Sequence, residues 1–252
     1  MRIAFLVTSF PAISETFILD QITGLIDLGC EVEVFAATAA TPGAVHPEVD
    51  SYRLMELRHV PQVSQRWPRR LRTFFERLSS AKACAWRPSF DVIHCHFGPN
   101  GMRGSLLRDI GALRGKLVTS FYGYDISEFP RRRSRNPYTG LFARGDLFLA
   151  ISQDMRRQMI ELGCDPKRIL VQPLGVKPGM FFSAGPPATD RPVRILSIGR
   201  LVPKKGIAYG LMAVAALFRE GVELEYVIIG DGPLRIEIER LVENLGLGNN
   251  RS

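Results

Sequence analysis

The sequence predicts an α/β protein built from two doubly wound, mostly parallel sheets, the second of them incomplete. Three observations carry this: apolar runs of strand length alternate with segments of helical period, a proline- and glycine-dense stretch interrupts them at 173–192, and the same rhythm restarts beyond it. With 252 residues the chain has room for one large or two ordinary domains. Its 46% hydrophobic content supports a packed core rather than a disordered chain.

Taken in order, Ile3–Val7 reads as a buried strand, and Phe17, Ile18, Gln21, Ile22, Leu25 and Leu28 recur at helical spacing, with Ser14 as a candidate cap and Gly29 as the stop. Val32–Phe35 completes a βαβ unit, which requires a parallel pair and a right-handed crossover. Further strands are expected at Asp91–His96, Lys116–Phe121, Asp146–Ile151 and Arg168–Val171. Helices are expected at Leu71–Ala83, Asn100–Ile110 and Gln153–Leu162, the last capped by Ser152 and stopped by Gly163. The stretch 37–65 is broken by Thr41-Pro42-Gly43 and His46-Pro47 and stays unassigned.

Between Pro173 and Pro192 five prolines and three glycines exclude regular structure. The domains are therefore an N-terminal one over 1–175, a linker over 176–192, and the first part of a second domain over 193–252. That second part holds strand Val193–Ile198, helix Ile207–Phe218, strand Leu224–Ile229, the turn Gly230-Asp231-Gly232-Pro233 and helix Leu234–Leu245. Two strands fall short of the five or six of a doubly wound sheet.

The cysteines at 30, 84, 95 and 164 form no C-x-x-C pair and read as buried reduced thiols of a cytoplasmic protein. The start, with one basic residue and Pro11 soon after, reads as a core strand and not a signal peptide, and no run is long enough to span a bilayer. The net charge of +8 favours anionic partners. Seven basic residues against Glu76 lie between Arg66 and Arg87, interleaved with Trp67, Phe74 and Phe75. This stretch is either a solvated helix face or an amphipathic helix on an anionic membrane surface. The Arg131–Arg135 cluster reads as a loop or a solvated run. No recognition motif accompanies the charge, so nucleic acid is not expected as a partner.

The chemistry concentrates in Ser197–Gly206, between a buried strand and a helix start, where free backbone N–H groups and the helix dipole favour an anion. Arg200 can fork onto phosphate oxygens and Lys205 can add a point charge, so the pair suits a departing diphosphate. A nicotinamide enzyme is disfavoured, because Thr8-Ser9-Phe10-Pro11 follows the first strand where G-x-G-x-x-G would be needed. His94 and His96 share one side of a strand, but with no third ligand nearby no metal site is expected.

Gly199-Arg200 followed by Lys205-Gly206 resembles the G-R-x-x-x-x-K-G element of GT4-type, GT-B fold glycosyltransferases, whose two domains are Rossmann-like. Gly230-Asp231-Gly232-Pro233 resembles that family's G-x-G-P turn, and Pro173-Leu174-Gly175-Val176 stands in place of its N-G-V. Asp91–Phe97 and Ala150-Ile151-Ser152 match family strands, and Phe10–Ile18 resembles the opening of exopolysaccharide and colanic-acid enzymes.

The resemblance implies transfer of a sugar, with retention, from a nucleotide-diphosphate sugar to a glycan acceptor of the lipid-linked class, without metal or other cofactor. It assigns Gly199, Arg200, Lys205, Gly230 and Gly232 to the donor, with Arg200 and Lys205 stabilising the leaving diphosphate. Ser14, Glu15 and Thr16 replace the usual Gly-Gly contact to the donor, unless Ser14 only caps its helix. His96, Tyr122 and Asp125 fall to the acceptor side, Tyr122 in the place of a family histidine, where a phenol donates a hydrogen bond but does not titrate near neutrality. The family's E-x7-E donor element would fall beyond Ser252, which opens the alternative of a non-catalytic, acceptor-binding fragment and predicts negligible transfer by this chain alone.

Overall fold

The structure is a computed structural model that describes residues 1–39, 43, 45–60, 89–133, 135–177, 179, 185 and 192–248. It divides into two compact units, Met1–Pro178 and Gly179–Ser252. The expected helix at 71–83, the basic stretch 66–87, Cys84 and most of the expected linker lie outside the described residues.

In the first unit, seven strands run as β1 (Arg2–Phe10), β2 (Glu31–Ala39), β3 (Arg58–His59), β4 (Ser89–His96), β5 (Arg114–Phe121), β6 (Leu147–Ala150) and β7 (Ile169–Val171). All pairs are parallel and the spatial order is β3-β2-β1-β4-β5-β6-β7. The order reverses between β1 and β4, which is where a doubly wound sheet opens a crevice at its strand C-termini.

Helices α1 (Thr16–Asp27), α2 (Pro47–Ser51), α3 (Gly98–Asp109), α4 (Tyr124–Arg131), α5 (Thr139–Arg144) and α6 (Gln153–Glu161) connect them. Side chains of β1 alternate between two cores, as the period of two demands. Ile3, Phe5 and Val7 pack with Ile18, Leu19 and Ile22 of α1, while Ala4 and Leu6 pack with Ile93, Cys95 and Leu117 on the other face. Against that second face α3 lies close: a Cβ on Gly101 would meet Thr119 at 2.6 Å, and one on Gly104 would meet the Cys95 sulfur at 2.5 Å.

Several expectations need correction. The unassigned stretch contains α2 and the two-residue edge strand β3, too short to leave a periodic trace. Arg131 ends helix α4 instead of lying in a loop; α4 is eight residues with Pro130 inside it and α5 is six residues, each too short or too broken to be read from sequence. Ser14 does not cap α1: Glu15 occupies the cap position, with no side-chain bond to the helix. Ser152 does cap α6, accepting from Met155 N at 3.1 Å. Of the described cysteines, Cys95 and Cys164 are buried, and burial pushes each thiol up to about 12, whereas Cys30 is only half-buried.

The second unit contains β8 (Val193–Ile198) and β9 (Leu224–Ile229), paired in parallel, with α7 (Ile207–Arg219) and α8 (Arg235–Asn244). A small core of Leu201, Ile207, Leu211 and Ile238 joins the two helices to the loops. β8 remains largely exposed, Leu196 at 56% and Ile198 at 69%.

Candidate functional site

Two places have the chemistry of a site, one in each unit. In the first unit the crevice at the switch point is formed by the β1–α1 turn, the β4–α3 turn and the β5–α4 turn. The chain leaves β1 through Phe10-Pro11, a cis peptide, and turns by a bond from Glu15 N to Ala12 O of 3.1 Å. Ser14 and Thr16 are exposed there, and Glu15 is half-buried, with its carboxyl pKa raised by desolvation.

His96 ends β4, and its Nδ1 lies 2.7 Å from the Tyr122 hydroxyl. The two rings lie 4° from parallel, and His96 also stacks on Phe5 at 5.2 Å. Tyr122 is held on its other sides by Phe17 at 4.5 Å and Phe97 at 4.9 Å. Phe97 sits at φ 71°, a conformation costly for an aromatic residue and of a kind that concentrates at functional turns. His94 completes the row, with Nε2 at 2.8 Å from Ser120 Oγ and its ring 4.3 Å from that of His96. Burial lowers the pKa of His94 to about 4 and, with His94 beside it, that of His96 well below the usual range. Both rings are therefore neutral at physiological pH.

Asp125 has a different task from the acceptor contact that the resemblance implies. It is fully buried. Its Oδ1 accepts from Tyr122 N and Gly123 N at 3.0 and 2.9 Å, and its Oδ2 from Gly98 N at 3.0 Å. One carboxylate thus ties the start of α3 to the start of α4. Desolvation raises its pKa, and the three backbone donors oppose that rise. His96 is likewise 0% exposed, so of the three expected acceptor residues only Tyr122 offers surface to a ligand. Sequence reasoning missed Phe17, Phe97 and Asn100 here. The last donates to His96 O at 2.7 Å and Thr8 Oγ1 at 3.1 Å, joining the ends of β4 and β1. The signal available for Phe97 was an aromatic residue wedged between a strand end and a helix-starting Gly-Pro.

In the second unit Gly199–Gly206 joins β8 to α7 through a 3-10 turn at Pro203–Lys205, and Gly206 enters the helix at φ 66°. Lys205 folds back over Gly199, its Cε 3.5 Å from where a glycine Cβ would stand. Arg200 and Lys205 are both exposed, with no ion pair among the described residues. Two cations and the open N-terminus of a 13-residue helix therefore share one loop.

Gly230 and Gly232 owe their identity to close packing of backbones. A Cβ on Gly230 would lie 1.9 Å from Gly199 O, and one on Gly232 2.6 Å from Leu201 O. The loops are stitched by Gly199 N to Ile229 O and Leu201 N to Asp231 O, at 2.9 and 2.8 Å. The turn thus shapes the cationic loop. Among the described residues no cluster of three or more His, Cys, Asp or Glu could hold a metal.

A doubly wound sheet with its switch-point crevice, followed by a second βα unit carrying a cationic strand-to-helix loop, defines the two-domain GT-B class of glycosyltransferases. The chain belongs to glycosyltransferase family 4. Residues 14–179 match the model of Glycosyltransferase Family 4, and residues 182–251 match that of Glycosyl transferases group 1. It is 33% identical to the putative colanic acid biosynthesis glycosyltransferase WcaL of Salmonella typhimurium, over 98% of this chain and 68% of that protein. It is 31% identical to the amylovoran biosynthesis glycosyltransferase AmsK of Erwinia amylovora, over 96% of this chain and 67% of that protein. Among solved structures, Anabaena HepE in complex with UDP-glucose shares the fold at a TM-score of 0.74 and 19% identity, covering 99% of this chain and 67% of that one. The chain thus spans about two thirds of the length of these relatives.

Proposed function

We propose that the chain carries the acceptor half and the diphosphate loop of an enzyme that moves a sugar, with retention, from a nucleotide-diphosphate sugar to a glycan acceptor in exopolysaccharide synthesis. The observation that carries the reading is the Gly199–Gly206 loop, where Lys205 lies over the Gly199 turn and Arg200 stands exposed beside it. The likeness to colanic-acid and amylovoran enzymes supports the pathway class, and the UDP-glucose in HepE supports the donor class.

In front-face displacement the leaving diphosphate takes the acceptor proton, so the protein's main task is to hold the developing negative charge. Arg200 and Lys205 fit that task and require no metal. Ser14, Glu15 and Thr16 of the β1–α1 turn are the candidate donor contacts of the first unit, and Tyr122 its candidate acceptor contact. A lipid-linked acceptor, reached from the cytoplasmic membrane face through the basic stretch 66–87, belongs to the same reading. No described helix is long and apolar enough to cross a membrane.

Calorimetric titration of the chain with UDP-glucose tests the loop. Binding is expected to be weak, with negligible transfer, and Arg200→Ala or Lys205→Ala should weaken it about tenfold by removing a charge-assisted bond. Affinity unchanged by both substitutions would remove the loop from the donor site, and micromolar affinity would show that 193–252 already suffices to hold the donor.

A further inference from the structure

The Tyr122 hydroxyl carries a single hydrogen and lies 2.7 Å from His96 Nδ1, while Ser120 Oγ is engaged by His94 Nε2 at 2.8 Å. His96 Nε2 is buried without any partner. A hydrogen on Nε2 would be an orphan donor in the interior, which folded proteins tolerate less often than a bare acceptor. The hydrogen therefore belongs on Nδ1, whose one bond is to Tyr122. Aromatic contacts at Phe5, Phe17 and Phe97 keep both rings from turning, and Asp125 fixes the backbone at Tyr122 N.

We infer that His96 is a positioning residue: as a buried Nδ1–H imidazole it donates to the Tyr122 oxygen, so that the phenolic hydrogen points out of the crevice as a fixed donor to a saccharide oxygen. The inference rests on reading the crevice as the sugar-handling side of the enzyme. It narrows the ligand chemistry there to a hydrogen-bond acceptor, a sugar hydroxyl or ring oxygen, and excludes a second donor such as an ammonium group. Burial, with Asp125 and Glu15 nearby, disfavours the Tyr122 anion, and burial beside His94 disfavours the His96 cation, so the hydrogen is shared between two neutral groups.

Histidine-selective 15N NMR on the unaltered chain tests the tautomer directly, with Tyr122→Phe used to assign the coupled ring. The expected result is a neutral His96 protonated at Nδ1, its Nε2 bare. Protonation at Nε2 would mean that Tyr122 donates inward and would overturn the inference. A second arm follows the Tyr122 ring-carbon resonance that bears the hydroxyl. His96→Asn places an amide nitrogen where Nδ1 stood and should preserve the resonance. His96→Gln, which mimics only Nε2, should shift it. Equal shifts in both variants would also overturn the assignment. Neither arm uses transfer or donor binding, so failure here is distinct from failure of the glycosyltransferase reading, which the Arg200 and Lys205 titration addresses.

Discussion

The strands β1 and β8 are close in composition and opposite in circumstance. Ile3 to Val7 are all at most 3% exposed, enclosed by α1 on one face and α3 on the other, whereas in β8 Val193 is 62% exposed and Leu196 56%. An apolar strand in a sequence states what a sheet requires on both faces; neighbouring strands and helices decide whether it is met. Central in its sheet, β1 meets it, whereas β8, paired only with β9 among the described residues, does not.

Paired leucine truncations give the largest expected contrast. Leu6→Ala should cost about 2–5 kcal/mol and Leu196→Ala under about 0.5 kcal/mol, read by denaturant unfolding. Equal costs would break the contrast between the strands.

Acidification should sharpen the comparison next, because all four histidines of the chain lie in the first unit. His94 and His96 are held neutral by burial, His94 down to about 4, while an unfolded histidine titrates near 6.5. As pH falls from 6.5 toward 4 the unfolded chain takes up protons that the folded one does not. Stability present above 6.5 is therefore lost, by up to about 1.4 kcal/mol per pH unit for each ring. Hydrogen exchange resolved by segment should show opening accelerating more at 1–177 than at 193–248 as pH falls over that range. The smallest expected effect separates two serines: Ser152→Ala should cost about 1 kcal/mol through a lost cap, and Ser14→Ala should stay within about 0.5 kcal/mol in thermal unfolding.

The strand-and-helix rhythm was legible because buried parallel strands are near-continuous apolar runs, as at Ile3–Val7 and Asp91–His96. The helices α4 and α5 and the edge strand β3 were not, since Tyr124–Arg131 carries an internal proline and Arg58–His59 is two residues long. The loop that carries Arg200 and Lys205 could be read from spacing alone, because a strand-to-helix connection is local. Asp125 and His96 could not be placed, because their work depends on partners 26 or 27 positions away across the sheet. The same limit applies to Gly230, whose need to be glycine arises only where its backbone meets that of Gly199.

Asp125 binds the turns at Gly98 and Tyr122 into a single piece, and Asn100 binds that piece to Thr8. The bottom of the crevice is thus held as one braced floor. Three turns that are far apart in the chain are therefore coupled, so that a change at any one of them is felt at the other two.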